Sequence, residues 1–210
     1  MNVTFRVPSF FREIMPGLDP AEARAQAGAR IGRRADDLDD LDEERLDSLT
    51  AEYARASSIL EAANMFYAAT CLGTINGDLS SGTLTIARQP LTYRDPHTAV
   101  IGIGELMTRR HGPDGAVRLW DLPCGQAVLT FQQSATLRIP ADLTTAGEDL
   151  PVEVAQIQAF IPVPRETVPG AQDLIVITFS TPSTDHWEDY CGVIAELLRS
   201  VTLAPGGVGA

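Results

Sequence analysis

The run LIVITFS (174–180) passes through Thr181 and Pro182 into STDHWEDYCGVIAELLRSV (183–201), and no other stretch narrows the possible folds so far. The apolar, β-branched run reads as a strand inside a sheet covered on both faces. Beyond the proline corner, Trp187, Tyr190, Cys191, Ile194, Leu197, Leu198 and Val201 recur at three- and four-residue intervals. That is the buried stripe of an amphipathic helix. A strand that feeds straight into such a helix demands a layered fold in which helix and sheet share one core.

The corner also holds the most reactive-looking cluster of the chain, S-T-D-H-W-E-D-Y-C (183–191). Ser183, Thr184 or Asp185 each suit a helix cap, Asp185 and Glu188 have capping-box spacing, and acids favour a helix N-terminus. The stripe assigns Cys191 to the core with Trp187 and Tyr190, and turns His186 and Asp189 towards solvent. A thiol and an imidazole five residues apart on one helix do not point together, as a nucleophile–base pair must. The cluster therefore reads as a capped, core-docking helix.

The remaining chain supplies the other layers. VTFRV (3–7) reads as a strand stopped by Pro8. Asp19-Pro20-Ala21-Glu22 combines a cap, a first-turn proline and a capping box, so a helix begins there. Residues 20–63 are basic in their first half and acidic in their second, which fits either one long helix or an antiparallel pair joined between Gly32 and Asp36. In the acidic half Leu38, Leu41, Leu46, Leu49, Tyr53, Ala56 and Leu60 fall on one side of a helical wheel. The acids are then a solvated face, because an EF-hand loop would need a glycine and alternating ligands that this run lacks. MFYAATCL (65–72) and TLTIARQ (83–89) read as strands around a Gly/Asn/Asp/Ser-rich hairpin or longer turn, and Asp95-Pro96 opens a second helix that ends near Gly112. AVRLWDL (116–122), AVLTFQQ (127–133), VAQIQAFIPV (154–163) and LIVITFS complete the strands, with VPRETVPGAQD a hairpin-type link.

This order of elements is α+β: a mainly antiparallel sheet with helices on both faces, plus an N-terminal helical elaboration. One α/β domain is expected over residues 1–203, with residues 20–63 as a helical insertion and 204–210 as a disordered tail. The closing strand–helix LIVITFSTPSTDHWEDYCGVIAELLRSVTL, the Trp187–Tyr190 pair and the opening VTFRVP resemble the PsbP-like fold, an α/β/α sandwich shared by a photosystem II subunit and a Ran-binding nuclear import factor. The resemblance covers residues 1–10 and 65–203. It implies binding of proteins or small ligands and offers no catalytic residues to carry over.

Net charge is −12, and all sixteen basic residues are arginine. That balance opposes a nucleic-acid or anionic-membrane partner, and the arginine usage points to a GC-rich, actinobacterial source. No apolar run approaches the ~20 residues of a membrane helix, and no secretory signal opens the chain, so the bacterial cytoplasm is the expected compartment. Cys71, Cys124 and Cys191 form no C-x-x-C pair and read as buried small hydrophobes. No metal or cofactor is expected. Gly102 and Gly104 in VIGIGEL lack the third glycine and the preceding strand of a dinucleotide loop. The leading expectation is a non-enzymatic adaptor or accessory protein that meets a protein partner through residues 20–63. The alternative is a small-molecule or lipid binder with a pocket between sheet and helices lined by Trp120, Phe131 and Phe160. A third is a thiol enzyme using Cys124 in the WDLPCG turn, with His97 or His111 brought close by folding.

Overall fold

The computed structural model describes residues 1–32, 43–112, 116–141, 144, 147–170 and 172–205. In chain order they form β1 (Asn2–Thr4), β2 (Arg12–Ile14), α1 (Pro20–Gly32), α2 (Glu43–Ala62), β3 (Met65–Ile75), β4 (Asp78–Pro90) and α3 (Pro96–His111). Then follow β5 (Ala116–Leu122), β6 (Gly125–Ile139), β7 (Leu150–Pro162), β8 (Asp173–Thr181), a 3-10 turn (Thr184–His186), α4 (Trp187–Ser200) and β9 (Thr202–Ala204). The chain divides into two compact units, Glu13–Ala68 and the combination of Met1–Arg12 with Ala69–Ala210. The seven-stranded sheet runs β2-β3-β4-β8-β7-β6-β5, and β1 pairs with β9 in a separate antiparallel ladder. The fold is α+β, built on a large antiparallel sheet. The expected tail lies outside the described residues beyond Pro205, while Ala204 pairs with Asn2.

Register decides which side chains share a face. Leu84, Phe179, Ile157 and Phe131 stand opposite one another across β4, β8, β7 and β6. Ile86, Ile177, Ala159 and Leu129 form the next row on the same side. α4 covers this face, since the Tyr190 ring lies 4.8 Å from that of Phe179. Phe179, Leu84, Ile86, Leu129, Ile177, Ile194, Leu197 and Leu198 are all fully buried. On the other face α3 packs against β5, β6 and β7, and His97 on its first turn bonds Gln126. Helices thus occupy both faces.

The second face corrects one expectation. β8 is not covered on both sides along its length: Val176, Thr178 and Ser180 are only half-buried and alternate with the buried Ile175, Ile177 and Phe179. The neighbouring β7 alternates in step, so Gln158 donates to Thr178 Oγ1 (3.3 Å) and Gln156 to Ser180 Oγ (3.1 Å). These cross-strand polar pairs satisfy one another on the half-buried side of β7 and β8.

The Gly/Ser-rich stretch after β3 is strand rather than long turn. Asn76 (φ 53°) and Gly77 (φ 94°) alone turn the chain, the pair of left-handed residues that a two-residue type I′ loop demands. Gly82 sits in β4 because a side chain there would strike Phe179: a Cβ would lie 2.6 Å from its ring.

In the unit Glu13–Ala68 the expected capping box forms. Asp19 Oδ1 accepts from the backbone N–H of Ala21 and Glu22, and Glu22 accepts from Asp19 N–H at 3.0 Å. Residues 20–63 hold two helices, and α1 lies against α2. Arg24 pairs with Asp47 and with Glu43 (3.8 Å), joining the basic first half to the acidic second. Leu46, Leu49, Tyr53, Ala56 and Leu60 are half-buried on α2, while Leu38 and Leu41 lie outside the described residues.

Candidate functional site

A cleft of about 440 Å³ opens between the end of β3, the start of β4 and the first turns of α4. Its floor is Cys71, Ser80 and Tyr190, and its walls include Phe10, Leu72, Ile75 and Val193, with Asp189 and Thr74 also on the lining. All of these belong to the sheet-bearing unit. Ser80 reaches the floor because the two-residue turn extends β4 back to Asp78, and Tyr190 because α4's apolar stripe faces the sheet.

Ser80 Oγ and the Tyr190 hydroxyl share a hydrogen bond of 2.8 Å, and Cys71 Sγ lies 3.6 Å from the same hydroxyl. All three residues are buried. Burial pushes the Tyr190 phenol from its ordinary 10 up to about 12, and it pushes the Cys71 thiol up as well. Both groups therefore stay protonated across the physiological range. A protonated thiol is a poor nucleophile, so this floor is suited to hydrogen bonding and contact rather than attack.

The other thiols behave alike. Cys124 occupies the β5–β6 turn, is buried, and its thiol is raised by that burial. Cys191, expected in the buried stripe, is half-buried, and burial raises it too, with Glu188 adding to the effect. Folding does bring His97 to the turn that carries Cys124, where its Nδ1 bonds Gln126 Oε1 at 2.9 Å. The Gln126 amide N–H₂ donates to Asp121 at 3.0 Å, which leaves its oxygen for the imidazole and places the His97 proton on Nδ1. His111 ends α3, with a buried Nε2 that has no partner among the described residues.

The reactive-looking corner is corrected in two respects. His186 does not face solvent: it is 8% exposed in the 3-10 turn, and its buried Nδ1 lacks a hydrogen-bond partner among the described residues. The cause is the 3-10 turn itself, which departs from the 3.6-residue wheel on which the solvent-facing position was read. The Asp185–Glu188 box makes no side-chain cap, and Ser183 instead accepts from Ser81 N–H at 3.1 Å, tying the corner to β4. Trp187, Tyr190, Ile194, Leu197, Leu198 and Val201 are buried as their spacing requires.

The three aromatic residues expected to line a pocket are split by the sheet. Phe131, opposite Ile157, and Trp120, opposite Ala127, stand on the α4 face, where Arg199 lies 5.5 Å from the Trp120 ring. Phe160, opposite Val128 and Val176, stands on the α3 face. None of the three lines the cleft at β3, β4 and α4. Among the described residues no group of three or more His, Cys, Asp or Glu side chains is placed to hold a metal ion, and no helix is long and apolar enough to cross a membrane.

Comparison with known proteins finds no matching family, no matching curated protein and no matching solved structure.

Proposed function

We propose that the protein works by binding, holding a small, largely apolar molecule in the cleft between β3, β4 and α4 without making or breaking bonds in it. One observation carries this reading. A cavity of about 440 Å³ with apolar walls ends on a buried, protonated hydroxyl pair, Ser80 and Tyr190. Ligand pockets of this size are mostly apolar and hold a few fixed polar groups that set orientation. The antiparallel sheet flanked by helices is the architecture that the PsbP-like resemblance implies, and a non-enzymatic role in the bacterial cytoplasm belongs to the same proposal. A thermal-shift panel of metabolites and lipids tests the reading, with Val193→Trp as the variant that fills the cleft. Stabilising compounds are expected to lose their effect on the variant. Compounds that stabilise both forms equally would place binding elsewhere and end this reading.

A second reading, a protein partner met through residues 20–63, has its own support. Residues 13–68 form a compact unit with exposed Met15 and Ile59 and a largely acidic surface on α2. Deleting residues 20–63 should then abolish capture of a partner from the native host, and retention of every partner would remove this reading.

A further inference from the structure

The cleft's polar inventory narrows the chemistry of what it holds, an inference that rests on the cleft-binding reading. Ser80 and Tyr190 bring two hydroxyl protons. Their mutual hydrogen bond uses one. Where Ser80 is the donor in that bond, the acceptor shown for the Tyr190 proton is Cys71 Sγ at 3.6 Å, and thiol sulfur is a weak acceptor; where Tyr190 is the donor, the Ser80 proton is the one left over. A ligand π-face or acceptor atom against the floor would serve a donor that the protein satisfies poorly.

Charge at the opening is one-sided. Asp189 is exposed in the first turn of α4 and, among the described residues, is the lone charged one of the lining. Among the described residues no arginine lines the cleft, although arginine is the chain's only basic residue type besides histidine. The whole chain adds a net charge of −12. A carboxylate or phosphate ligand would lose its hydration here and meet no counter-charge. A protonated amine meets Asp189, and the half-exposed Phe10 ring at the same rim adds an aromatic surface of the kind that attracts cations.

We infer that the cleft between β3, β4 and α4 binds an apolar ammonium compound, an aromatic or alkyl amine whose body lies against Leu72, Ile75 and Val193 and whose charged end meets Asp189.

Three probes with one body and different ends decide the matter: tryptamine, tryptophol and indole-propionate, titrated into the full chain by calorimetry with amide NMR shifts to locate the site. The expected order is amine first, alcohol weaker by roughly fivefold, as for a partly solvated ion pair, and carboxylate weakest. Asp189→Asn should erase the difference between amine and alcohol. Equal binding of amine and carboxylate, or an amine preference that survives Asp189→Asn, overturns the ammonium assignment while binding of the alcohol at β3, β4 and α4 keeps the cleft itself. Failure of all three probes to shift residues of β3, β4 and α4 overturns the assignment together with the cleft reading beneath it.

Discussion

Phe179 and Ser57 are both wholly buried, one in each compact unit, and they hold their surroundings by different means. Phe179 fills volume: it meets Tyr190 at 4.8 Å and Phe11 edge-on at 6.3 Å, over a strand position kept bare at Gly82. Ser57 fills little and bonds much. Its hydroxyl donates to Met15 O at 2.9 Å and accepts from Leu18 N–H, closing the loop that leads into α1. Among the described side chains of α1 the buried ones, Ala23 and Ala27, are equally small. The sheet unit is thus a core in the ordinary sense, stabilised by apolar area, whereas the helical unit depends on satisfied backbone groups and caps.

The sharpest way to break this contrast is to delete volume from the first unit. Phe179→Ala should cost about 4 kcal/mol, the range for emptying a large aromatic site, read as the shift in a urea midpoint. A cost near 1 kcal/mol would mean that the site collapses around the lost ring and that volume is not what holds it. In the second unit the matching change is Ser57→Ala, which removes almost no volume and leaves the Met15 carbonyl and Leu18 N–H without their partner. It should cost about 2 kcal/mol, seen as faster hydrogen exchange confined to residues 13–68. Equal loss of protection in β8 and α4 would show that the two units do not differ in this way.

Tyr190 lies on the volume side of the comparison but carries a hydrogen bond as well. Its phenol is raised from 10 to about 12 by burial, so the folded state favours the neutral form. Its contribution is complete below pH 10 and is lost as pH rises through about 12, because the unfolded chain ionises first. Tyr190→Phe should cost roughly 1 to 2 kcal/mol near neutrality, since Ser80 Oγ is left buried without its partner. The gap between the two proteins should close across pH 10 to 12 in denaturant titrations. A constant gap would mean that the phenol is wetter than its burial implies.

Most local chemistry was legible in the chain, the Asp185–Glu188 cap and the face of His186 excepted, and distant pairing was not. The Asp19–Glu22 box, the Asp95 cap of α3, whose Oδ1 accepts from Thr98 N–H at 2.8 Å, and the buried stripe of α4 each rest on residues within a turn or two of one another. The site rests on Ser80 and Tyr190, 110 positions apart, and no periodicity links them. Ser80 also stood in a Gly/Ser-rich stretch whose composition signals a turn, and the Asn76–Gly77 pair confined that turn to two residues. Trp120, Phe131 and Phe160 share an aromatic character that says nothing about face. Only register separates Phe160 from the other two.

The smallest effects test whether the helical unit depends on its cap more than on its charges. Asp19 Oδ1 satisfies two first-turn N–H groups, and Glu22 returns a bond to Asp19 N–H. Asp19→Ala frees the N–H groups of Ala21 and Glu22, while Glu22 still accepts from the backbone N–H at position 19, and it should cost about 1 kcal/mol, independent of salt. Arg24 joins Asp47 and Glu43 across the two helices, but its side chain is 45% exposed and Glu43 87%. Arg24→Ala should cost no more than about 0.5 kcal/mol, and the cost should vanish in about 1 M salt, where screening acts over a few ångströms. Both variants are read by exchange protection in α1. If Arg24→Ala exceeds Asp19→Ala and persists in salt, the ion pairs rather than the cap fix α1 against α2. The small buried alanines would then be a consequence of that docking instead of its cause.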